Sequence, residues 1–217
     1  MNKTEEITSR FAGIIYYGMR ALVLLSVVIF LFRGDWGSAF SAAFISFLMF
    51  LPSFLKKQYR IYLPFELDLA IVMFIFLTLF LGSLGNFYEQ ISWWDDMLHF
   101  LSGIFFGILG FIVIYLLNSE HIGKLNLTPF FVSLFAICFS LALSVVWEIY
   151  EFAVDQTLGF NMQRDGLMDT MTDLIVNAVG ALIVAGVAYF WIRRQKKVPF
   201  TPSRLSRFQY KGNAKKS

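Results

Sequence analysis

A chain of 217 residues that is 58% hydrophobic, carries 26 phenylalanines and has only 15% charged residues has more apolar surface than a water-soluble fold of this size can hide. With a mean hydropathy of +0.65 it reads as all-α, a polytopic helical membrane protein. The single cysteine excludes a disulfide framework and a cysteine metal motif, and Cys138, inside an apolar run, reads as a small buried hydrophobe.

Six windows reach the roughly 20 apolar residues that a span requires. They cover residues 11–32, 37–55, 65–84, 97–117, 129–152 and 173–192. The first follows a short polar head, but its apolar run is longer than a signal-peptide core, so it reads as a retained span.

Short loops rich in Lys and Arg face the cytoplasm. The head has Lys3 and Arg10, the second loop Lys56, Lys57 and Arg60, and the fourth Lys124. The tail from Arg193 holds nine basic residues and no acid. The third loop, 85–96, has no basic residue, and the fifth, 153–172, has only Arg164 among several acids. Both termini are therefore expected to be cytoplasmic, with loops one, three and five outside. Residues 1–192 read as one membrane domain and 193–217 as a disordered basic tail. Topology signalling accounts for that tail, so no nucleic-acid partner is expected.

The polar residues collect at the outer ends of the last three spans. Asp95 and His99 are four apart, Glu148 and Glu151 three apart, and Asp169, Asp173 and Asn177 follow in steps of four. Residues so spaced share a helix face. Each helix thus offers one polar stripe among Leu, Ile, Val and Phe, and such stripes should turn away from lipid. Asp155 and Asp165 extend two of the stripes, Asp155 beyond Glu151 if that helix continues and Asp165 before Asp169. Adjacent carboxylates repel unless a cation or a proton relieves them. Hard oxygen ligands with one imidazole suit a divalent metal such as Mg, Mn, Ca or Fe.

On this reading Glu148, Glu151, Asp169, Asp173 and His99 hold the metal. His99, oriented by Asp95, and Glu148 supply acid–base chemistry. Arg164 would meet an anionic headgroup, or simply neutralise the acids. Trp94, Trp147 and Asn177 would line the substrate path, although an aromatic belt also explains Trp93, Trp94 and Trp147. The plain alternative for the acids is a buried structural network, and for Glu89 and Asp96 a solvated loop.

Arg20 lies inside the first span and needs a partner there. Glu66 and Asp68 open the third span at its cytoplasmic end, where Lys56 or Lys57 could pair with them. Gly103, Gly107 and Gly110, and Gly180 and Gly186, mark close helix approaches.

The segments Trp94-Asp95-Asp96-Met97-Leu98-His99, Glu148-Ile149-Tyr150-Glu151 and 163–173 resemble the YjdF-like family of largely uncharacterised bacterial inner-membrane proteins. More loosely, Asp95 with His99, a later Glu, then Arg164 and Asp173-x3-Asn177-x2-Gly180 resemble VanZ-like proteins. The resemblance covers 93–184, the stretch that carries the polar site, and implies a cell-envelope setting.

Three functions follow. The first is a metal-dependent enzyme acting at the outer face of the cell membrane on lipid or lipid-linked envelope substrates. The others are a non-catalytic protein binding a lipid or partner, and a cation or proton carrier. The apolar inner halves of spans four to six speak against a carrier.

Overall fold

The computed structural model describes residues 3–59, 65–120, 127–159, 161–164 and 166–195. Helices α1 (Lys3–Phe32) and α2 (Trp36–Tyr59) are followed by α3 (Phe65–Ile75), which runs on as a π-helix over Phe76–Leu84. A one-turn helix α4 (Phe87–Gln90) precedes α5 (Trp94–Glu120), α6 (Pro129–Leu158) and α7 (Leu167–Gln195). Six of these helices, with the π-segment completing the third, are long and apolar enough to cross a membrane. Phe11, Phe32, Phe40, Phe47, Phe54, Phe130 and Phe190 all point outward, an arrangement that lipid accepts and water would not. Cys138 is exposed among them. It faces outward from α6 and is not the buried residue its apolar neighbours suggested.

The helix ends follow local chemistry. Asp35 caps α2 by accepting the Ser38 N–H at 3.1 Å, and its hydrogen bonds from Ser38 hold that carboxyl below the usual range. Thr128 caps α6, accepting from the Phe131 N–H at 3.2 Å, with Pro129 at the first helical position. Gly159 ends α6 with φ of 70°, a left-handed conformation that favours glycine.

The last three spans reach further toward the polar stripes than hydrophobicity implied. They cover Trp94–Ile114, Pro129–Leu158 and Leu167–Arg194, so every acid of the three stripes that the structure describes is helical. Asp95, Asp96 and Asp169 occupy first turns, where the helix dipole favours a carboxylate. Asp165 lies outside the described residues.

The chain divides into two compact units, Met1–Trp94 and Asp95–Ser217. The first unit packs Tyr16, Val23, Ile45, Met49 and Val72 into its core. Beside that core lies a polar knot. Lys56 Nζ contacts Asp68 Oδ2 at 2.6 Å and the Tyr16 hydroxyl donates to the same oxygen at 3.0 Å. Arg20 donates to the Met49 carbonyl and to Ser53 Oγ, and its guanidinium lies over the rings of Tyr16 and Phe50. Arg20 thus has a carbonyl, a hydroxyl and two π-faces as partners.

The second unit packs Phe111, Ile114, Val132, Ala136, Val184, Ala185, Ala188 and Ile192 into one apolar cluster. The polar stripes of α5, α6 and α7 lie toward the opposite end of this unit's helices.

Candidate functional site

Close approach of α5 and α7 sets the site. Gly103 lies against the backbone carbonyl of Asn177, and Gly180 against the carbonyl of Phe100. Neither position has room for a Cβ. One turn before this contact, His99 on α5 and Asp173 on α7 face each other. His99 Nε2 lies 3.8 Å from Asp173 Oδ2 and 3.6 Å from Asp95 Oδ1. On the other edge of the ring, Nδ1 lies 3.8 Å from Glu148 Oε1. His99 is 7% exposed, Glu148 5% and Asp173 1%.

These separations are too long for direct hydrogen bonds. One ligand atom from each of Asp95, His99 and Asp173 falls within 4.8 Å of the other two. Neighbouring ligands around an octahedral ion at about 2.1 Å stand roughly 3 Å apart, so this triangle would have to draw in slightly to close on a cation. Asp173 Oδ2 is buried with no hydrogen-bond partner. Thr170 and Gln163 lie beside the Glu148 carboxylate, yet neither of its buried oxygens accepts a hydrogen bond of ordinary geometry. Orphaned buried carboxylate oxygens are costly, and a cation held with Asp95 and His99 would relieve that of Asp173.

A second polar layer holds the first. The Ser102 hydroxyl donates to the His99 carbonyl at 2.7 Å. The Asn177 amide donates to Ser102 Oγ at 2.9 Å and reaches the His99 carbonyl at 3.5 Å, while its oxygen accepts from Ser140 at 3.3 Å. The turn that carries His99 is therefore tied to both α6 and α7.

The chain matches, over residues 15–194, the family described as predicted membrane protein (DUF2238). It belongs to that family. A relative from Thermotoga maritima, described as an uncharacterized protein, is 33% identical over 144 residues, which is 64% of this chain and 70% of the relative. No solved structure matches the chain.

All of the stripe residues lie inside the DUF2238 segment, and the structure sorts them. Asp95, His99 and Asp173 converge, and Glu148 stands behind the ring. Glu151 and Asp169 lie within electrostatic reach of Asp95, Glu148 and Asp173. Arg164 is half-buried and acts electrostatically on Asp95. Trp147 is outward-facing, and its indole N–H donates to Glu151 Oε1 at 2.9 Å. Asn177 is fully buried one turn below the triad and spends its amide on the protein itself. Trp94 belongs to the first unit, where its ring meets Phe87 edge-on at 4.9 Å. Asp155 accepts the backbone N–H groups of Met162 and Gln163 at 2.7 and 2.9 Å, which folds the connection from α6 to α7 back on itself.

The sequence reading missed Gln163, Thr170, Ser102, Ser140 and Ser144. Gln163 donates to Thr170 Oγ1 at 2.7 Å and to the Glu148 carbonyl at 3.4 Å. The serines did leave a signal. Ser140, Ser144 and Glu148 recur in steps of four on the one buried face of α6.

Proposed function

We propose that this DUF2238 membrane protein is a divalent-cation-dependent enzyme acting on a lipid or lipid-linked substrate at the outer face of a bacterial inner membrane. The single observation behind this is the Asp95–His99–Asp173 triangle with its orphaned Asp173 oxygen. One imidazole with carboxylates favours a hard or borderline divalent ion such as Mg, Mn, Ca or Fe. Such an ion would supply Lewis-acid polarisation of a substrate oxygen. In this reading Glu151 and Asp169, within electrostatic reach of the triangle, would take or return a proton. Arg164, which acts electrostatically on Asp95, would meet an anionic headgroup in this reading.

Position at the membrane supports the reading. The site lies in the first two turns of α5 and α7 and about three turns before the end of α6, toward the end of the apolar spans where headgroups are found. In α7 the acids lie at one end and Arg193 and Arg194 at the other. With Lys56 and Lys57 in the last turn of α2, the positive-inside rule puts both termini in the cytoplasm and the site outside. The YjdF-like and VanZ-like resemblances point to the same envelope setting.

Metal analysis of the protein purified in detergent without chelator tests the proposal. About one equivalent of a divalent ion in the parent, lost in Asp173→Asn, is expected. A parent that stays empty after dialysis against Mg, Mn, Ca, Fe and Zn in turn removes the proposal.

A further inference from the structure

The three carboxylates around His99 are not equivalent. Asp95 and Asp173 face Nε2, whereas Glu148 faces Nδ1. The two nitrogens lie on opposite edges of the imidazole, so one cation cannot sit against both. A cation shared with Asp95 and Asp173 takes Nε2 and leaves Nδ1 to carry the proton. The neighbour of Nδ1 is then the Glu148 oxygen at 3.8 Å, one of the two buried oxygens of Glu148 without a hydrogen-bond partner. Bonding range requires the gap between N–H and oxygen to close by about 0.6 Å. A carboxylate bonded to the far nitrogen of a ligating histidine fixes its tautomer and raises its basicity.

We infer that Glu148 is a positioning residue that holds His99 with Nε2 toward the cation, so that α5 and α7 alone supply the protein ligands and α6 supplies none. This rests on the cation reading of the site and changes what that reading expects of Glu148. Three residues of the α6 stripe then have separate tasks. Ser140 ties α6 to Asn177 and to the Gly103 carbonyl. Ser144 lies between Ser140 and Glu148 on the same buried face. Glu148 holds the ring, and Glu151, bonded to the outward-facing Trp147, is left for the substrate side.

Co(II) is a suitable probe because its visible absorption reports its own ligand set. The purified full chain should bind about one equivalent. Glu148→Gln should reach the same stoichiometry with unchanged band positions, but with an affinity about 10- to 100-fold weaker. Asp173→Asn should shift the bands or lose the ion. The chain has 2 histidines, His99 and His121, so 15N-labelled histidine gives a simple spectrum. The metal-loaded parent should show His99 protonated at Nδ1, a readout that needs no variant and stands even if Glu148→Gln does not fold. Shifted bands in Glu148→Gln would make Glu148 a ligand and overturn the inference, as would unchanged affinity or a proton at Nε2. A parent that binds no Co(II) would instead remove the cation reading beneath it.

Discussion

Gly103 and Asn177 meet backbone to backbone, with the glycine Cα against the asparagine carbonyl. His99 stands four residues before the first and Asp173 four residues before the second, so one helical turn connects this contact to the candidate cation site. Gly103→Ala forces α5 and α7 apart and should cost about 1–3 kcal/mol. Because the shift lies directly below His99 and Asp173, divalent-ion affinity should fall by about tenfold or more. Thermal unfolding in detergent and metal titration of the same sample check both. An alanine that leaves both unchanged would mean the helices do not need this approach.

Asn177 makes a separate prediction, because the sequence reading put it on the substrate path. It is buried and bonded to Ser102, Ser140 and the His99 carbonyl. Asn177→Leu keeps the size but strands these groups, at about 1–3 kcal/mol. The loss should appear in stability without any added ligand. Asn177→Asp should be tolerated worse than its size suggests, since it adds a sixth carboxylate to a buried acidic region.

How much was legible in the chain differs by level. The six spans could be read directly, because a run of about 20 apolar residues has few other uses. The stripe residues were also visible as breaks in apolar helices at steps of three and four. What could not be read was rotation. Spacing puts Glu148 on the same helix face as Glu151, but only packing shows that it meets the Nδ1 edge of His99 and not the Nε2 edge. Helix ends were read short because Asp95, Asp155 and Asp169 lower local hydrophobicity, although Asp95 and Asp169 suit a first helical turn and Asp155 is bonded to the Met162 and Gln163 N–H groups beyond the end of α6. The serine layer was invisible to hydropathy because small polar residues barely change it.

Cation binding should stabilise the folded protein by mass action. Mn(II) at about 100 times its dissociation constant should add about 2.7 kcal/mol, read as a rise of several degrees in the unfolding temperature. His99→Ala should abolish the rise, and chelator should reverse it in the parent. An equal rise in both proteins would place the binding elsewhere.

The first unit offers a control far from this chemistry in sequence. Asp68 is buried and accepts from Tyr16 and Lys56. Removing one partner of a fully buried ion pair costs about 3–5 kcal/mol, but Lys56 is about one-third exposed and can turn outward. Asp68→Asn should therefore cost less, about 1–3 kcal/mol. Metal stoichiometry should stay as in the parent, since the partners of Asp68 among the described residues are Tyr16 and Lys56.

The apolar cluster of the second unit bears on transport. Phe111, Ala136 and Ala185 stand twelve residues along their helices from His99, Glu148 and Asp173 respectively, about 18 Å at the helical rise. All three belong to one buried apolar cluster with Val132, Val184 and Ala188. Ser133 borders that cluster, and its hydroxyl already donates to the Ala185 carbonyl at 3.2 Å. An ion leaving the acidic site through this unit would have to shed its water among aliphatic side chains, which a conducting path avoids. Proteoliposomes holding the protein and an internal Mn(II)-quenched dye should therefore show no quenching beyond that of empty vesicles when Mn(II) is added outside. Quenching that depends on Asp173 would mean that the floor opens, and would move the function from catalysis to transport.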